Sequence, residues 1–153
     1  MASLLREGKD VCFTPTGFSM RPFIEGGRDS VVLRRRNDVR VGDIVLAGIP
    51  EIASADIPET ASADVRGSKP QQTKPMYVLH RVIGVDGERV TLMGDGNITG
   101  TEECSKADVI GTVVRIENRC GRRKPLTRGR LWFRLLGQRR ILLKIYRKLG
   151  RLG

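Results

Sequence analysis

The stretch MYVLHRVIGVDGERVTLM, residues 76–93, decides the fold. Met76 to Ile83 is an apolar and aromatic run, too short and too β-branched for a helix. Asp86-Gly87 follows, a dipeptide that favours the tight turn of a hairpin, and Arg89 to Met93 reads as the return strand. Outward from this hairpin the chain repeats short extended segments bounded by Gly, Asp and Pro. Ser30 to Arg34 reads as a strand, Asp43 to Ala47 follows the Val41-Gly42 turn as another, and Val109 to Ile116 is a last one. No segment before residue 128 has convincing helical periodicity. The body is therefore expected to be mainly β, a small barrel-like folded sheet.

The chain has 153 residues, enough for one domain, or one domain with an appendage. Its 28 Lys and Arg outnumber 17 Asp and Glu, for a formal charge of +11. A chain this basic suggests nucleic acid or an anionic membrane as partner, but the charge is not spread evenly. Residues 1–114 carry 14 basic and 16 acidic residues, and residues 115–153 carry 14 basic residues and one acid, Glu117. The excess belongs to the tail, and the body is near neutral.

Apolar residues at 39% with regular Val/Ile clusters exclude wholesale disorder. No run of about 18 uncharged apolar residues marks a transmembrane helix. Met1 to Asp10 lacks the apolar core of a secretory signal peptide. The three cysteines, Cys12, Cys104 and Cys120, have no metal-binding spacing, and a reduced intracellular chain is expected, with no metal and no cofactor.

Gly48 to Pro75 is compositionally different, rich in Pro, Ala, Ser, Asp, Lys and Gln and without periodicity, so residues 48–75 are expected to form a flexible loop, lid or insertion. Ala53-Ser54-Ala55-Asp56 recurs there as Ala61-Ser62-Ala63-Asp64, which reads as low-complexity drift. The β-rich domain is placed at residues 1–120 and a tail at 121–153. Gly121-Arg122-Arg123-Lys124-Pro125 is read as a basic linker. Leu131 to Leu149 is read as an amphipathic helix, at about 100° per residue. Trp132, Leu135, Leu136, Leu142, Leu143, Tyr146 and Leu149 share one face, and Arg134, Arg140, Lys144, Arg147 and Lys148 lie opposite.

The chain contains one histidine, His80, inside the long β segment. A candidate nucleophile lies upstream in Gly17-Phe18-Ser19-Met20-Arg21-Pro22, and a candidate acid downstream in Met93-Gly94-Asp95-Gly96-Asn97. A serine hydroxyl needs a base to become nucleophilic, imidazole suits that role near neutrality, and a carboxylate orients the imidazole and stabilises its cation. Ser, His and Asp at these spacings are weak evidence by themselves.

Taken together, the blocks resemble the catalytic domain of the type I signal peptidase family, in the clan shared with LexA-like self-cleaving repressors. Ser19-Met20-Arg21-Pro22 is similar to the nucleophile box. Val41-Gly42-Asp43-Ile44-Val45 is similar to the structural block that follows it. His80-Arg81-Val82-Ile83-Gly84 with Gly94-Asp95-Gly96-Asn97 is similar to the general-base strand and the Gly-Asp-Asn block. The match runs over roughly residues 14–116. Histidine rather than lysine at position 80 resembles the Ser-His, endoplasmic-reticulum-like branch.

The resemblance implies a peptidase with Ser19 as nucleophile and His80 as general base, cleaving a peptide or protein substrate after a small residue. For the third member it leaves alternatives: Asp95 alone, or Glu102 or Glu103 standing in for a later aspartate. It places the oxyanion hole and substrate cleft at Thr16, Gly17, Phe18 and Met20. Gly17 stands where many members carry a serine, so the hole would rest on the Ser19 N–H and Thr16, and Phe18 replaces a small residue and would narrow the cleft.

Signal peptidases usually carry a membrane span before the nucleophile, and here 18 residues without an apolar span precede Ser19. The tail helix contains six basic residues, each costing about 2.5–3.5 kcal/mol at a bilayer centre. In the interface, a Lys or Arg contributes ~1 kcal/mol against anionic lipid, and Trp132, Phe133 and Tyr146 are suitable anchors. Peripheral binding to an anionic membrane, in the cytoplasm or at its membrane face, is the expectation. The competing expectation is a catalytically weak or inactive peptidase-fold module whose basic tail binds nucleic acid or an acidic partner. Nucleic acid is the weaker choice, because bulky apolar residues interleave the tail's charges and no helix-turn-helix precedes the body.

Overall fold

The computed structural model describes residues 1–49, 76–126 and 137–149. A short helix α1 (Ala2–Arg6) precedes strands β1 (Val11–Phe13), β2 (Ser30–Arg34) and β3 (Ile44–Ile49). Strands β4 (Met76–Asp86), β5 (Arg89–Met93) and β6 (Glu102–Ser105) follow, then a 3₁₀ turn at Lys106–Asp108. Strands β7 (Val109–Glu117) and β8 (Arg123–Lys124) and helix α2 (Arg139–Leu149) complete the described chain. The strands form one antiparallel sheet in the order β1-β2-β7-β3-β4-β5-β6, with β8 added to β7. It curls into a half-barrel. Register shifts at Val32/Leu33, Leu46/Ala47 and Val82/Gly84 add the local twist that curling needs.

β3 sits between β7 and β4 and is apolar at almost every position, the pattern of a strand covered on both faces. Ile44 and Leu46 pack into one cluster with Leu5, Met20, Ile24, Val31, Leu33, Val113 and Ile116. Val45, Ala47 and Ile49 pack into a second with Val39, Val82, Val90, Leu92 and Cys104. The alternation along one strand thus supplies two cores. At the far edge, Arg34 grips Asp10 through two 2.8 Å hydrogen bonds, and this holds the Asp10 carboxyl below its ordinary value.

The mainly β expectation holds, and the β4–β5 hairpin turns at Gly87-Glu88, one residue beyond the expected dipeptide. β1, β6, β8 and α1 were not expected. Residues 50–75 of the expected loop, with both Ala-Ser-Ala-Asp repeats, lie outside the described residues, as do Trp132 and Arg134. The reading of residues 121–125 as a linker is corrected in part. Arg123 and Lys124 pair with Glu117 and Ile116, Lys124 Nζ lies 2.6 Å from buried Asp29, and Leu126 packs against the first core. The root of the tail belongs to the β body because its one apolar residue and one of its cations both find buried partners.

Burial, helped by the Asp108 charge, pushes the Cys104 thiol up to about 11, whereas Cys12 and Cys120 are exposed. Because the thiolate is the reactive form, iodoacetamide at pH 8 is expected to modify two thiols rapidly in the folded chain and the third only in denaturant, counted by intact mass.

Candidate active site

The turn that carries Ser19 leaves β1 and is built as a rigid loop. Gly17 has φ +94°, a conformation that L side chains rarely adopt, which gives a physical reason for glycine there instead of serine. Hydrogen bonds Arg21 N–H to Phe18 O (3.1 Å) and Ile24 N–H to Met20 O (3.0 Å) close successive turns, and Gly27 N–H to Pro15 O (2.8 Å) ties the loop's ends together. Met20 and Ile24 are buried in the first core, and Asp29 accepts a 2.7 Å hydrogen bond from Glu25 N–H. The Arg21–Pro22 peptide is cis. Ser19 itself remains partly exposed.

The Gly94-Asp95-Gly96-Asn97 segment backs this turn. Gly96 N–H donates to Ser19 O at 2.6 Å. A Cβ at Gly94 would sit 2.6 Å from Ser19 O and 3.0 Å from Ser19 Cβ, inside contact distance of backbone that cannot swing away. Glycine at 94 is therefore the condition for this approach. Gly94→Ala is expected to displace the Ser19 turn, which chemical-shift changes at residues 17–20 with an unchanged circular dichroism spectrum would show.

His80 lies on β4, opposite Val45 of β3. Two residues along β4, Val82 pairs with Leu92 of β5, and Leu92 pairs with Glu102 of β6. The two-residue period puts His80, Val82, Leu92 and Glu102 on one face, and the curl brings His80 Nδ1 to 2.9 Å from Glu102 Oε2. The His80 side chain is 7% exposed and that of Glu102 27%. A carboxylate oxygen accepts, so in the neutral tautomer that matches this contact Nδ1 donates and Nε2 keeps its lone pair.

The three candidate carboxylates thus separate. Glu102 is the one on His80. Asp95, the first choice, is gripped by Arg81: both its oxygens accept at 2.8 Å, from Nε and Nη2. The two side chains are 0% and 1% exposed. Glu103 faces Thr91 in the next register position and approaches exposed Arg89 at 3.8 Å. Arg81 was not foreseen as a site residue. It follows His80, donates to Gly42 O at 2.8 Å, and has the Phe23 ring 5.9 Å from its guanidinium carbon. Asp95 lies between the two glycines that back Ser19, so the ion pair ties β4 to the segment that supports the Ser19 turn. Its signal was a cation inside an apolar run, which demands a buried partner.

Ser19 and His80 line one cleft of about 140 Å³, together with Thr16, Gly17 and Met20. Phe18 is not among the lining residues; it is 66% exposed, with the Arg21 guanidinium 4.3 Å above its ring. The expectation that Phe18 narrows the cleft is corrected. Among the described residues no group of three or more His, Cys, Asp or Glu is placed to hold a metal ion, and no helix is long and apolar enough to cross a membrane. In α2, Leu143 is buried, while Ile141, Ile145 and Tyr146 are exposed beside exposed Arg140, Lys144 and Lys148. Arg147 lies in α2, but its side chain is outside the description. Comparison of the chain with protein-family models, curated proteins and solved structures gives no match.

Proposed function

We propose that the chain is a serine endopeptidase of the signal-peptidase type, with Ser19 as nucleophile, His80 as general base and Glu102 as the carboxylate behind it. The observation that carries this reading is the Glu102 carboxylate on His80 Nδ1 in a chain whose only histidine shares a cleft with Ser19. His80 Nε2 takes the Ser19 proton as Oγ attacks the scissile carbonyl, and Glu102 stabilises the imidazolium formed. The same proton then passes to the leaving amine, and water, activated by His80, hydrolyses the acyl-enzyme. Ser19 and Thr16 line the cleft, and the Ser19 N–H with Thr16 would supply the donors to the oxyanion.

Substrate would bind as an added strand. β4 pairs with β3 from Met76 onward but with β5 only from Arg81, so Met76 to His80 has one edge without a strand among the described residues. A cleft of 140 Å³ suits a small residue before the scissile bond. The exposed Ile141, Ile145 and Tyr146 amid basic residues fit a helix lying on an anionic membrane, which would bring the site to membrane-borne substrate. Ser19→Ala and His80→Ala are each expected to abolish cleavage of a peptide with alanine before the scissile bond. Cleavage that survives Ser19→Ala would overturn the reading.

A further inference from the structure

The loop that carries Ser19 is closed at its far end by a cation from the tail. One carboxylate oxygen of buried Asp29, Oδ2, takes two hydrogen bonds, 2.7 Å from Glu25 N–H and 2.6 Å from Lys124 Nζ. Lys124 stands 95 residues away in the chain and is delivered by β8, where it pairs with Ile116 of β7. Among the described residues it is the one cation paired with Asp29.

The backbone held by Asp29 runs directly into the candidate cleft. Glu25 is followed by Gly26, which lines the cleft with Ser19 and His80. Gly26 lies so close to the Gly17 backbone that an added Cβ would collide with it, and Gly17 stands two residues before Ser19. On its other side Glu25 follows Ile24, whose N–H donates to Met20 O, one residue after Ser19. The Asp29 hydrogen bond thus fixes a segment on which both flanks of Ser19 rest. Turn and tail root meet a second time: Pro22 and Phe23 line a cavity of about 160 Å³ together with Lys124, Pro125 and Leu126, and Arg81 forms part of its wall.

We infer that Lys124 is a positioning residue for Ser19: its ammonium keeps the Asp29 carboxylate turned inward onto Glu25 N–H, and the Ser19 loop keeps its shape through that bond. The inference rests on the peptidase reading and adds to it a residue of the basic tail, outside the blocks that carry the family resemblance. The physical cause is the cost of a buried charge. A carboxylate is tolerated in the interior where a cation and hydrogen bonds compensate it. Without the ammonium it turns toward water, Glu25 N–H loses its acceptor, and the segment resting on Gly17 loosens. Lys124 is not among the residues that line the cleft, so its loss acts on the placement of Ser19 rather than on contact with substrate.

Three full-length variants test it, assayed on a peptide with alanine before the scissile bond. Lys124→Met keeps the aliphatic stem and removes the charge. It is expected to lower kcat by about 10²-fold, the cost of a misplacement near 1 Å, with KM little changed. Lys124→Arg, which restores a cation, is expected to recover most of that rate. So is Lys124→Met combined with Asp29→Asn, whose amide oxygen still accepts from Glu25 N–H and carries no charge to compensate. Amide resonances report on the turn without activity: Lys124→Met should shift residues 17–26 and leave the β4–β5 hairpin in place. An unchanged kcat in Lys124→Met, or a loss that neither rescue variant repairs, would overturn the role of Lys124 and leave the peptidase reading standing. So would a loss of kcat accompanied by shifts throughout the sheet, the signature of general destabilisation. No Ser19-dependent cleavage by the wild type would overturn the peptidase reading and the positioning role with it.

Discussion

Glu102→Gln is expected to lower kcat by about 10²–10⁴-fold, the span of a general-base contribution, whose upper end is the loss known when a triad carboxylate becomes an amide. The amide can donate to His80 Nδ1 and so fix the tautomer whose Nε2 carries hydrogen and cannot accept the Ser19 proton. It also removes the charge that stabilises the imidazolium. Glu102 is 27% exposed, so water shares part of its field and the lower half of the range is the closer expectation. KM should change little, because the carboxylate acts through His80 and borders no part of the cleft. Glu103→Gln is the internal control. Its carboxylate is exposed beside Arg89, and its loss should leave kcat unchanged. A large effect at Glu103 with none at Glu102 would overturn the assignment.

Asp95→Ala is expected to destabilise the fold by about 3–5 kcal/mol, the usual cost of leaving a buried ion without its partner. Against a typical total of about 5–15 kcal/mol this removes roughly a fifth of the stability or more. The cause is local: the Arg81 guanidinium is 1% exposed, and its two hydrogen bonds to Asp95 have no substitute in water. Replacing both partners, as Arg81→Met with Asp95→Leu, should cost less than the single change, because no buried charge remains. Urea unfolding of the three variants measures it. A double variant less stable than Asp95→Ala would show that the pair acts through something other than mutual neutralisation. The support of the Ser19 turn is affected in the same experiment, since Asp95 lies between Gly94 and Gly96.

The sequence made the centre of the sheet legible and left its edges unread. β3, β4 and β5 carry short apolar, β-branched runs and a recognisable turn, which are the signals that strand burial imposes. β6 was missed because Glu102 and Glu103 break any apolar pattern, and Cys104 alone marks its buried position. β1, three residues long, is set by pairing with β2 rather than by its own composition. β8 was hidden inside a basic run whose lysine is neutralised by Asp29, 95 residues earlier in the chain.

At the site, Ser19 and His80 were readable because short local blocks surround them. The carboxylate was not, because Glu102 reaches His80 through register across two strand pairs and through the curl of the sheet. Neither is encoded in a local spacing. Asp95 drew the first assignment because it stands in a conspicuous glycine-flanked block. The two flanking glycines are explained by their approach to Ser19, and the aspartate between them by Arg81.

The most direct test of the central claim is covalent labelling with a fluorophosphonate probe, followed by proteolysis and mass spectrometry to locate the adduct. The predicted result is one adduct per chain on Ser19, absent in Ser19→Ala and strongly reduced in His80→Ala. Equal labelling of wild type and Ser19→Ala, or an adduct on any other residue, would contradict it.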